Sequence, residues 1–216
     1  MALALRSDLG ILTGLTSEAR LVAGLGHVLA GGGDRPGAVR ATEALMSAGV
    51  SAVLSFGLAG GLAPDLPAGA LVVPRAVLVD GQRLACDARL MAWLGGATVD
   101  LLTDAPGIIV TRSAKSALWA ATGAAAVDLE SGPLARAAHH AGLPFAVLRA
   151  VCDPATRDLP PAALAALDAH GGIAALRIAG SILKHPGQLP GLIALGRDTA
   201  RARQTLLTVI KGHRAD

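Results

Sequence analysis

Short apolar runs alternate along the chain with segments whose apolar residues recur at helical spacing. The runs predict strands at Leu9–Gly14, Val50–Phe56, Leu71–Pro74, Ala76–Val79 and Gly107–Thr111, and two more that end at Glu130 and Asp153. The helical spacing predicts helices that begin at Thr16 and cover Val39–Ala48, Ala88–Leu94, Ala114–Ala121 and Pro133–Ala141. From Ala162 onward the pattern is helical, with breaks at Gly171-Gly172 and Pro186–Pro190. This order predicts an α/β fold: one domain, 1–216, with a twisted mixed central sheet flanked by helices and a basic helical C-terminal segment, 162–216.

Two of the apolar runs end in carboxylates. The first contains Asp128 and Glu130, one of only three glutamates in the chain, and the second ends at Asp153. Charged side chains are rarely buried unless they are paired or used. The pattern predicts two parallel strands that open into one crevice, which is where open α/β sheets bind their ligands. An active site is therefore the leading interpretation.

A glycine-rich segment, Ser55–Leu62, follows the strand that begins at Val50. Its glycines permit a close approach of the backbone to a ligand or a positive φ, although a tight turn is an alternative explanation. The G-x-x-G-G spacing differs from the dinucleotide fingerprint, and the chain has no Gly-Lys-Ser/Thr phosphate loop. Nicotinamide and nucleoside-triphosphate chemistry are therefore weakly supported.

The composition narrows the possible partners and cofactors. Two Phe, two Trp and no Tyr argue against a nucleic-acid stacking platform. The two cysteines, Cys86 and Cys152, form neither a disulfide framework nor a metal-ligand spacing, which is typical of a reducing cytoplasm. The histidines are isolated from other ligand types, so we expect no metal and no cofactor.

The formal charge of +3 is unevenly distributed. Residues 1–170 carry 12 Lys and Arg against 14 Asp and Glu, whereas residues 171–216 carry 7 against 2. A basic segment indicates nucleic acid, an acidic partner, an anionic membrane surface or a solvated helix face. The uncharged stretch Ala44–Pro64 is interrupted by glycines and divides better into a helix end, a strand and a turn than into a membrane span. We therefore expect a cytoplasmic protein without a signal peptide.

Three segments resemble the family of purine nucleoside phosphorylases and 5′-methylthioadenosine/S-adenosylhomocysteine nucleosidases. They are Gly10–Arg20, Ser55–Pro74 and Ala126–Asp153; the last contains Val-Asp-Leu-Glu-Ser and Leu-Arg-Ala-Val-Cys-Asp, which are similar to the V-D-M-E-x and V-R-x-I-S-D blocks of the family. Within the family the chain is most similar to the hopanoid-associated phosphorylase-like branch, through Gly14–Arg20, Ser55–Leu62 and Asp153–Pro161.

The resemblance implies roles for residues at matching positions. Glu18 matches the acid/base that activates water, and Asp153 matches the acid that protonates N7 of the leaving purine. Glu130 matches the glutamate that binds the ribose hydroxyls. Its block and the glycine segment supply the other candidate substrate-binding residues: Leu129, Ser131, Gly57 and Gly60. Protonation of the base makes a better leaving group, and a carboxylate near the ribose stabilises the developing positive charge.

Two departures from the family bear on the nucleophile. Leu58 stands where the nucleosidases usually have Ser or Thr, and Ser55 and Phe56 stand where phosphorylases have a phosphate-binding Arg. Arg20 or Arg112 could compensate, but this pattern favours water over phosphate. Phosphorolysis remains the alternative within the fold, and a non-catalytic nucleoside or lipid binder is the alternative from another class.

The branch resemblance implies adenosylhopane as the substrate and release of adenine in hopanoid biosynthesis. It further implies a lipid-linked nucleoside as the small-molecule partner, and the resemblance to the family implies a homo-oligomer. The low surface charge and the basic C-terminal segment with its apolar residues fit peripheral contact with the inner membrane, with helices that pack on the sheet and keep a basic face in water as the alternative.

Overall fold

The computed structural model describes residues 8–165, 181 and 183–214. Within them the strands are β1 (Leu9–Thr13), β2 (His27–Ala30), β3 (Ala52–Gly61), β4 (Leu71–Val72), β5 (Pro74–Val79), β6 (Gln82–Ala85), β7 (Val99–Asp104), β8 (Ala126–Asp128) and β9 (Phe145–Asp153). The helices are α1 (Thr16–Ala19), α2 (Arg35–Ser47), α3 (Ala88–Trp93), α4 (Arg112–Thr122), α5 (Ser131–Ala141), α6 (Pro161–Ala165) and α7 (Leu189–Arg214), with a 3₁₀ helix at Pro186–Gln188.

The strands form one mixed sheet in the order β2-β1-β3-β8-β7-β5-β6, and β9 pairs with β3 and β4. The long strand β3 organises the sheet because it pairs in parallel with β1 along its first half and with β9 along most of its length. Its last two residues, Gly60 and Gly61, pair antiparallel with β8. Gly60 is opposite Val127 on one edge and Asp153 on the other, so β8 and β9 flank the end of β3.

Apolar side chains cover both faces of the sheet. Helices α2 and α5 bury Ala38, Leu45, Leu134 and Ala138 in one core cluster with β3, β5 and β9. Helices α3 and α7 bury Leu90, Leu206 and Ile210 in a second cluster with β1, β3 and β9. The fold therefore has helices on both sides of a central sheet, which confirms the predicted class.

The predicted elements near the site need two corrections. The predicted strand Gly107–Thr111 is wrong: the residues are irregular and half-buried or exposed, and the strand of this region is β7, whose two aspartates hide its apolar pattern. The two runs that end in carboxylates are not parallel neighbours, because β8 is antiparallel to β3 whereas β9 is parallel to it. Strand β8 also ends at Asp128, before Glu130.

Other elements agree with the sequence more closely. Helix α2 begins at Arg35, earlier than predicted, because the Asp34 carboxylate accepts a hydrogen bond from the Gly37 N–H and Pro36 fits the first turn. The break predicted at Pro186–Pro190 is a 3₁₀ helix followed by α7, whereas the break at Gly171-Gly172 lies outside the described residues. No helix of the described residues combines the length and the apolar character that a membrane crossing requires.

Candidate active site

Arg149 lies at the centre of the candidate site, inside strand β9, and is only 1% exposed. Its Nε atom is 2.8 Å from Asp128 Oδ2, and its Nη2 atom is 3.0 Å from Glu130 Oε2. Nη2 also donates to the Ser55 hydroxyl at 2.6 Å, and Nη1 donates to the Leu58 carbonyl at 3.3 Å. One guanidinium thus connects β9 with β3 and with the β8–α5 turn.

Glu18 approaches this arginine from the β1–α1 side and is also buried. Its Oε2 accepts the Leu15 N–H at 2.8 Å, and its Oε1 accepts the Leu58 N–H at 2.9 Å. The backbone of Leu58 therefore contacts both Glu18 and Arg149, through its N–H and its carbonyl. Burial raises the pKa of Glu18, although the charge of Arg149 opposes that shift.

Two glycines are required for the carboxylates to come this close. A Cβ atom on Gly14 would lie 2.6 Å from Glu130 Oε1 and 3.3 Å from Glu18 Oε2, so both carboxylates point towards the same position. A Cβ atom on Gly57 would lie 2.7 Å from Arg149 Nη1 and 2.7 Å from Glu18 Oε1, and Gly57 has a φ of +149°. Glycine is the residue that fits both requirements.

A second layer of polar side chains fixes the turn between β8 and α5. The Ser131 N–H donates to Asp128 Oδ1 at 3.1 Å, and the Ser131 hydroxyl donates to Asp128 Oδ2. The Ser131 and Ser55 hydroxyls are hydrogen-bonded to each other at 2.9 Å. These bonds fix the turn that leads into α5, whose N-cap residue is Glu130, and the helix dipole favours a carboxylate at that position.

The charges in this group do not balance. Arg149 faces three buried carboxylates, those of Glu18, Asp128 and Glu130, and we call these four residues the Arg149 cluster. Burial raises the pKa of Glu130 to about 7, Arg149 opposes the shift, and the charges of Asp128 and Glu18 add to it. The cluster therefore has more carboxyl groups than cations, and those that are ionised would stabilise positive charge that develops beside them.

Asp153, at the end of β9, has a different partner. Its Oδ2 atom is 2.6 Å from Nζ of Lys115, a residue of α4 that is 1% exposed. Burial raises the pKa of Asp153, and the hydrogen bond and charge of Lys115 oppose that rise. Asp153 is therefore a buried carboxyl that is ion-paired with Lys115 and also feels the charge of Arg157, which is a suitable arrangement for a proton donor.

A cleft of about 590 Å³, which is within the usual size of a small-molecule site, roughly 300–1,000 Å³, is lined by residues next to this pair in sequence, Ser116 and Ala155, but not by Lys115 or Asp153 themselves. Its other walls come from the residues that follow β3, from α4 and from the loop after β9, including Leu62, Trp119 and Thr156. Strand β3 links the Arg149 cluster to Asp153, because Gly57 lies against the cluster and a Cβ atom on Gly60 would lie 4.0 Å from Asp153 Oδ2.

The structure brings most of the sequence-predicted residues to this region. Glu18 and Glu130 belong to the Arg149 cluster, and Asp153 lies four residues beyond Arg149 on the same strand. The charges of Glu18 and Asp153 both act on the Cys152 thiol and contribute to raising its pKa to about 12, behind burial as the main cause. The predicted binding roles stay predictions.

Among the remaining candidates, the Ser131 hydroxyl is bonded to Asp128 and Ser55, and Leu129 is half-buried beside the core residue Val127.

The sequence reasoning assigned no role to Arg149 and Lys115. An arginine inside the apolar run Phe145–Asp153 was a usable signal for the first, since a charge there needs partners. No comparable signal marked Lys115, which lies in a helix with ordinary polar residues. Among the described residues no group of three His, Cys, Asp or Glu is arranged to hold a metal ion.

Comparisons with known proteins establish the family. A sequence profile of the Phosphorylase superfamily matches residues 21–87 and 104–184, which is more than half of the chain. The chain therefore belongs to the phosphorylase superfamily, a family of enzymes. No curated protein matches the chain.

Solved structures of nucleosidases share the fold. S-adenosylhomocysteine nucleosidase from Streptococcus pyogenes is similar with a TM-score of 0.65 at 17% identity, over 98% of this chain and 99% of that one. Futalosine hydrolase of Helicobacter pylori has a TM-score of 0.65 at 16% identity, over 96% and 98%. The 5′-methylthioadenosine/S-adenosylhomocysteine nucleosidase of Neisseria meningitidis has a TM-score of 0.66 at 16% identity, over 96% and 100%. At these identities the likeness establishes the fold.

Proposed function

We propose that this protein hydrolyses the N-glycosidic bond of an adenine nucleoside and releases adenine. The observation that carries the proposal is the Arg149 cluster, in which three buried carboxylates face one guanidinium beside the middle of β3. An oxocarbenium-like ribosyl group carries positive charge as the bond breaks, and such a site stabilises it. The nucleosidase names of the structural neighbours and the sequence resemblance support the same reaction class.

The reaction divides between the two ends of the site. Asp153 donates its carboxylic proton to N7 of the purine, and the electron pair of the C1′–N9 bond leaves with the base. Glu18 accepts a proton from the water molecule whose oxygen forms the new bond to C1′. Glu130 accepts hydrogen bonds from the ribose hydroxyls. Solvent then returns a proton to Asp153 and removes one from Glu18, so the enzyme is restored.

Water is the proposed nucleophile because the Arg149 cluster disfavours an anion. The guanidinium that reaches the cluster is already bound by Asp128 and Glu130, so it is not available to bind a phosphate ion. Any carboxyl of the cluster that is ionised would repel that anion. The Leu58 side chain has no polar group, but its backbone N–H and carbonyl bind Glu18 and Arg149 and so help to position these two residues.

The proposed substrate is adenosylhopane, which places the reaction in hopanoid biosynthesis. The resemblance to the hopanoid-associated branch supports this assignment, together with exposed apolar residues on the α4 side of the molecule, Ile108 and Trp119. A lipid-linked substrate fits a protein that works at a membrane face. Leu183, Leu189 and Ile193 are exposed beside Arg197 and Arg201, and such a surface suits an anionic interface.

The decisive experiment is product analysis with adenosine, 5′-methylthioadenosine and adenosylhopane, each with and without phosphate. We expect free adenine and a free sugar hemiacetal, at a rate that phosphate does not change, and the highest kcat/KM with adenosylhopane. A sugar-1-phosphate product whose formation requires phosphate would identify a phosphorylase instead. Binding without turnover would identify a non-catalytic nucleoside binder.

The membrane contact has its own test, co-sedimentation with vesicles that contain phosphatidylglycerol at low and high salt. We expect binding at low salt that weakens as salt increases, because each Lys or Arg near the surface contributes roughly 1 kcal/mol. Leu189→Glu should weaken binding, whereas Val39→Glu, at an exposed position of α2, is the matched control. Equal pelleting with and without vesicles would remove the membrane part of the proposal.

A further inference from the structure

The ammonium group of Lys115 is fully used inside the protein. Besides Asp153 Oδ2, Nζ contacts the Pro154 carbonyl at 3.1 Å and the Arg157 carbonyl at 2.9 Å. A lysine ammonium has three donors, and these three acceptors match them. The lysine therefore fastens the loop after β9 to helix α4 and holds one oxygen of Asp153 in the process.

The location of Lys115 is unfavourable apart from these contacts. The residue lies in the first turns of α4, which begins at Arg112 behind a Thr111 cap, and the positive end of a helix dipole disfavours a cation there. The side chain is also removed from water, which costs several kcal/mol for an ammonium ion in typical cases. The compensation comes from the Asp153 carboxylate and the two loop carbonyls.

We propose that Lys115 is a positioning residue for Asp153: it binds Oδ2 so that Oδ1 faces the leaving base, and it stabilises the carboxylate that remains after proton transfer. This inference rests on the proposed hydrolysis of an N-glycosidic bond. Oδ1 has no hydrogen-bond partner among the described residues, and Asp153 directly precedes the loop whose residues Ala155 and Thr156 line the cleft. Lys115 itself does not need to touch the substrate.

The charges around Asp153 give this pairing a chemical purpose. Lys115 faces the carboxyl from α4, Arg157 and Asp158 face it from the following loop, and Cys152 is its neighbour on β9. Burial alone would hold the proton too firmly for transfer to a purine, whereas an adjacent ammonium makes the carboxyl a stronger acid. Efficient acid catalysis requires a pKa near the working pH.

The test compares Lys115→Met with the unaltered protein on two substrates, adenosine and 4-nitrophenyl riboside. Nitrophenolate leaves without a proton from the enzyme, so only adenosine cleavage requires the acid. We expect adenosine kcat/KM to fall by at least about tenfold in Lys115→Met and nitrophenyl riboside cleavage to stay within about twofold. The alkaline limb of the adenosine pH profile should move up by about 1–3 units, because an opposite charge is removed from the acid.

A titration of the Asp153 carboxyl by ¹³C NMR provides a measurement that does not depend on turnover. Its pKa should be higher in Lys115→Met than in the unaltered protein. Arg83→Met is the matched control, since it removes a cation from the surface pair with Asp100 and should change neither readout.

The outcomes separate the two hypotheses. Equal losses on both substrates, or an unmoved profile and titration, would overturn the positioning role and leave Lys115 a structural residue. An unaltered protein that cleaves neither substrate would overturn the proposed function, and the titration would still decide whether Lys115 controls Asp153.

Discussion

The two buried ionic groups of this site differ in their ratio of cations to carboxyl groups. In the Arg149 cluster one cation faces three carboxylates, whereas in the Lys115–Asp153 pair one cation faces one carboxylate. The cluster is enclosed by the sheet and the first turn of α5, whereas the pair joins α4 to the loop after β9, whose residues line an open cleft. Each group includes one residue of strand β9, Arg149 in the cluster and Asp153 in the pair, and these two residues are four positions apart.

In the proposed hydrolysis this difference gives the two groups different roles. An excess of buried carboxylates is unfavourable in the empty protein and favourable when a cationic ribosyl group forms beside it, which is the condition for transition-state stabilisation. A balanced pair suits a group that gains and loses one proton in each turnover. The four experiments that follow test whether these two groups really behave differently.

The largest effect is expected from Asp153→Asn. An amide can still hydrogen-bond to the base but cannot donate a carboxylic proton, so adenine release should fall by about 10²–10⁴-fold. Cleavage of 4-nitrophenyl riboside should suffer much less. Steady-state assays with both substrates compare the variant with the unaltered protein. Near-normal turnover of adenosine by the variant would show that another residue is the acid.

Arg149→Met should chiefly affect stability. Removal of the guanidinium leaves three buried carboxylates without a cation, and breaking a buried pair from one side costs about 3–5 kcal/mol of unfolding free energy. The control is Arg83→Met, whose exposed pair with Asp100 should contribute less than about 1 kcal/mol. Urea unfolding of both variants measures the difference; similar losses would mean that the cluster does not depend on its arginine.

Glu130→Gln should change how stability depends on pH. The pKa of Glu130 is raised to about 7 from an ordinary 4.5, so its proton is bound more tightly in the folded state. Its contribution to stability is complete below pH 4.5 and is lost as the pH rises through about 7. In the variant, the decrease in unfolding free energy over this pH range should be smaller by on the order of 2–3 kcal/mol.

Urea unfolding between pH 4.5 and 8 measures that contribution, with Glu43→Gln on the exposed side of α2 as the control. Parallel pH profiles for Glu130→Gln and the unaltered protein would contradict an overcharged cluster.

The smallest effect is expected from Gly57→Ala. Its backbone conformation should cost about 1–3 kcal/mol of unfolding free energy, and the added Cβ atom should displace Glu18 and Arg149. Gly95→Ala is the control, because Gly95 has a φ of +98° but no atom within 4 Å of an added Cβ. Thermal unfolding and adenosine turnover should separate the two: Gly57→Ala should lose activity, and Gly95→Ala should keep it. Loss of activity in both variants would argue against a specific close approach at Gly57.

Local pattern was sufficient for the architecture and for selecting candidate site residues. The alternation of apolar runs and helical segments predicted the α/β class, and isolated carboxylates near the ends of two runs selected Glu130 and Asp153 as candidates, whose roles stay predictions. Motif similarity added Glu18, which nothing in its own surroundings marks as special. These features are predictable because they depend on residues close together in sequence.

Tertiary structure alone determined the partners of those carboxylates. Arg149 meets Glu18 and Ser55 from positions 131 and 94 residues away, and Lys115 reaches Asp153 across 38 residues. The antiparallel pairing of β8 with the end of β3 could not be predicted from the sequence either, because sheet assembly and not the composition of a three-residue strand decides strand direction. The sequence determined which groups are available for chemistry, and the fold decided which of them share charge, since electrostatic coupling depends on distance through a dry interior and not on separation along the chain.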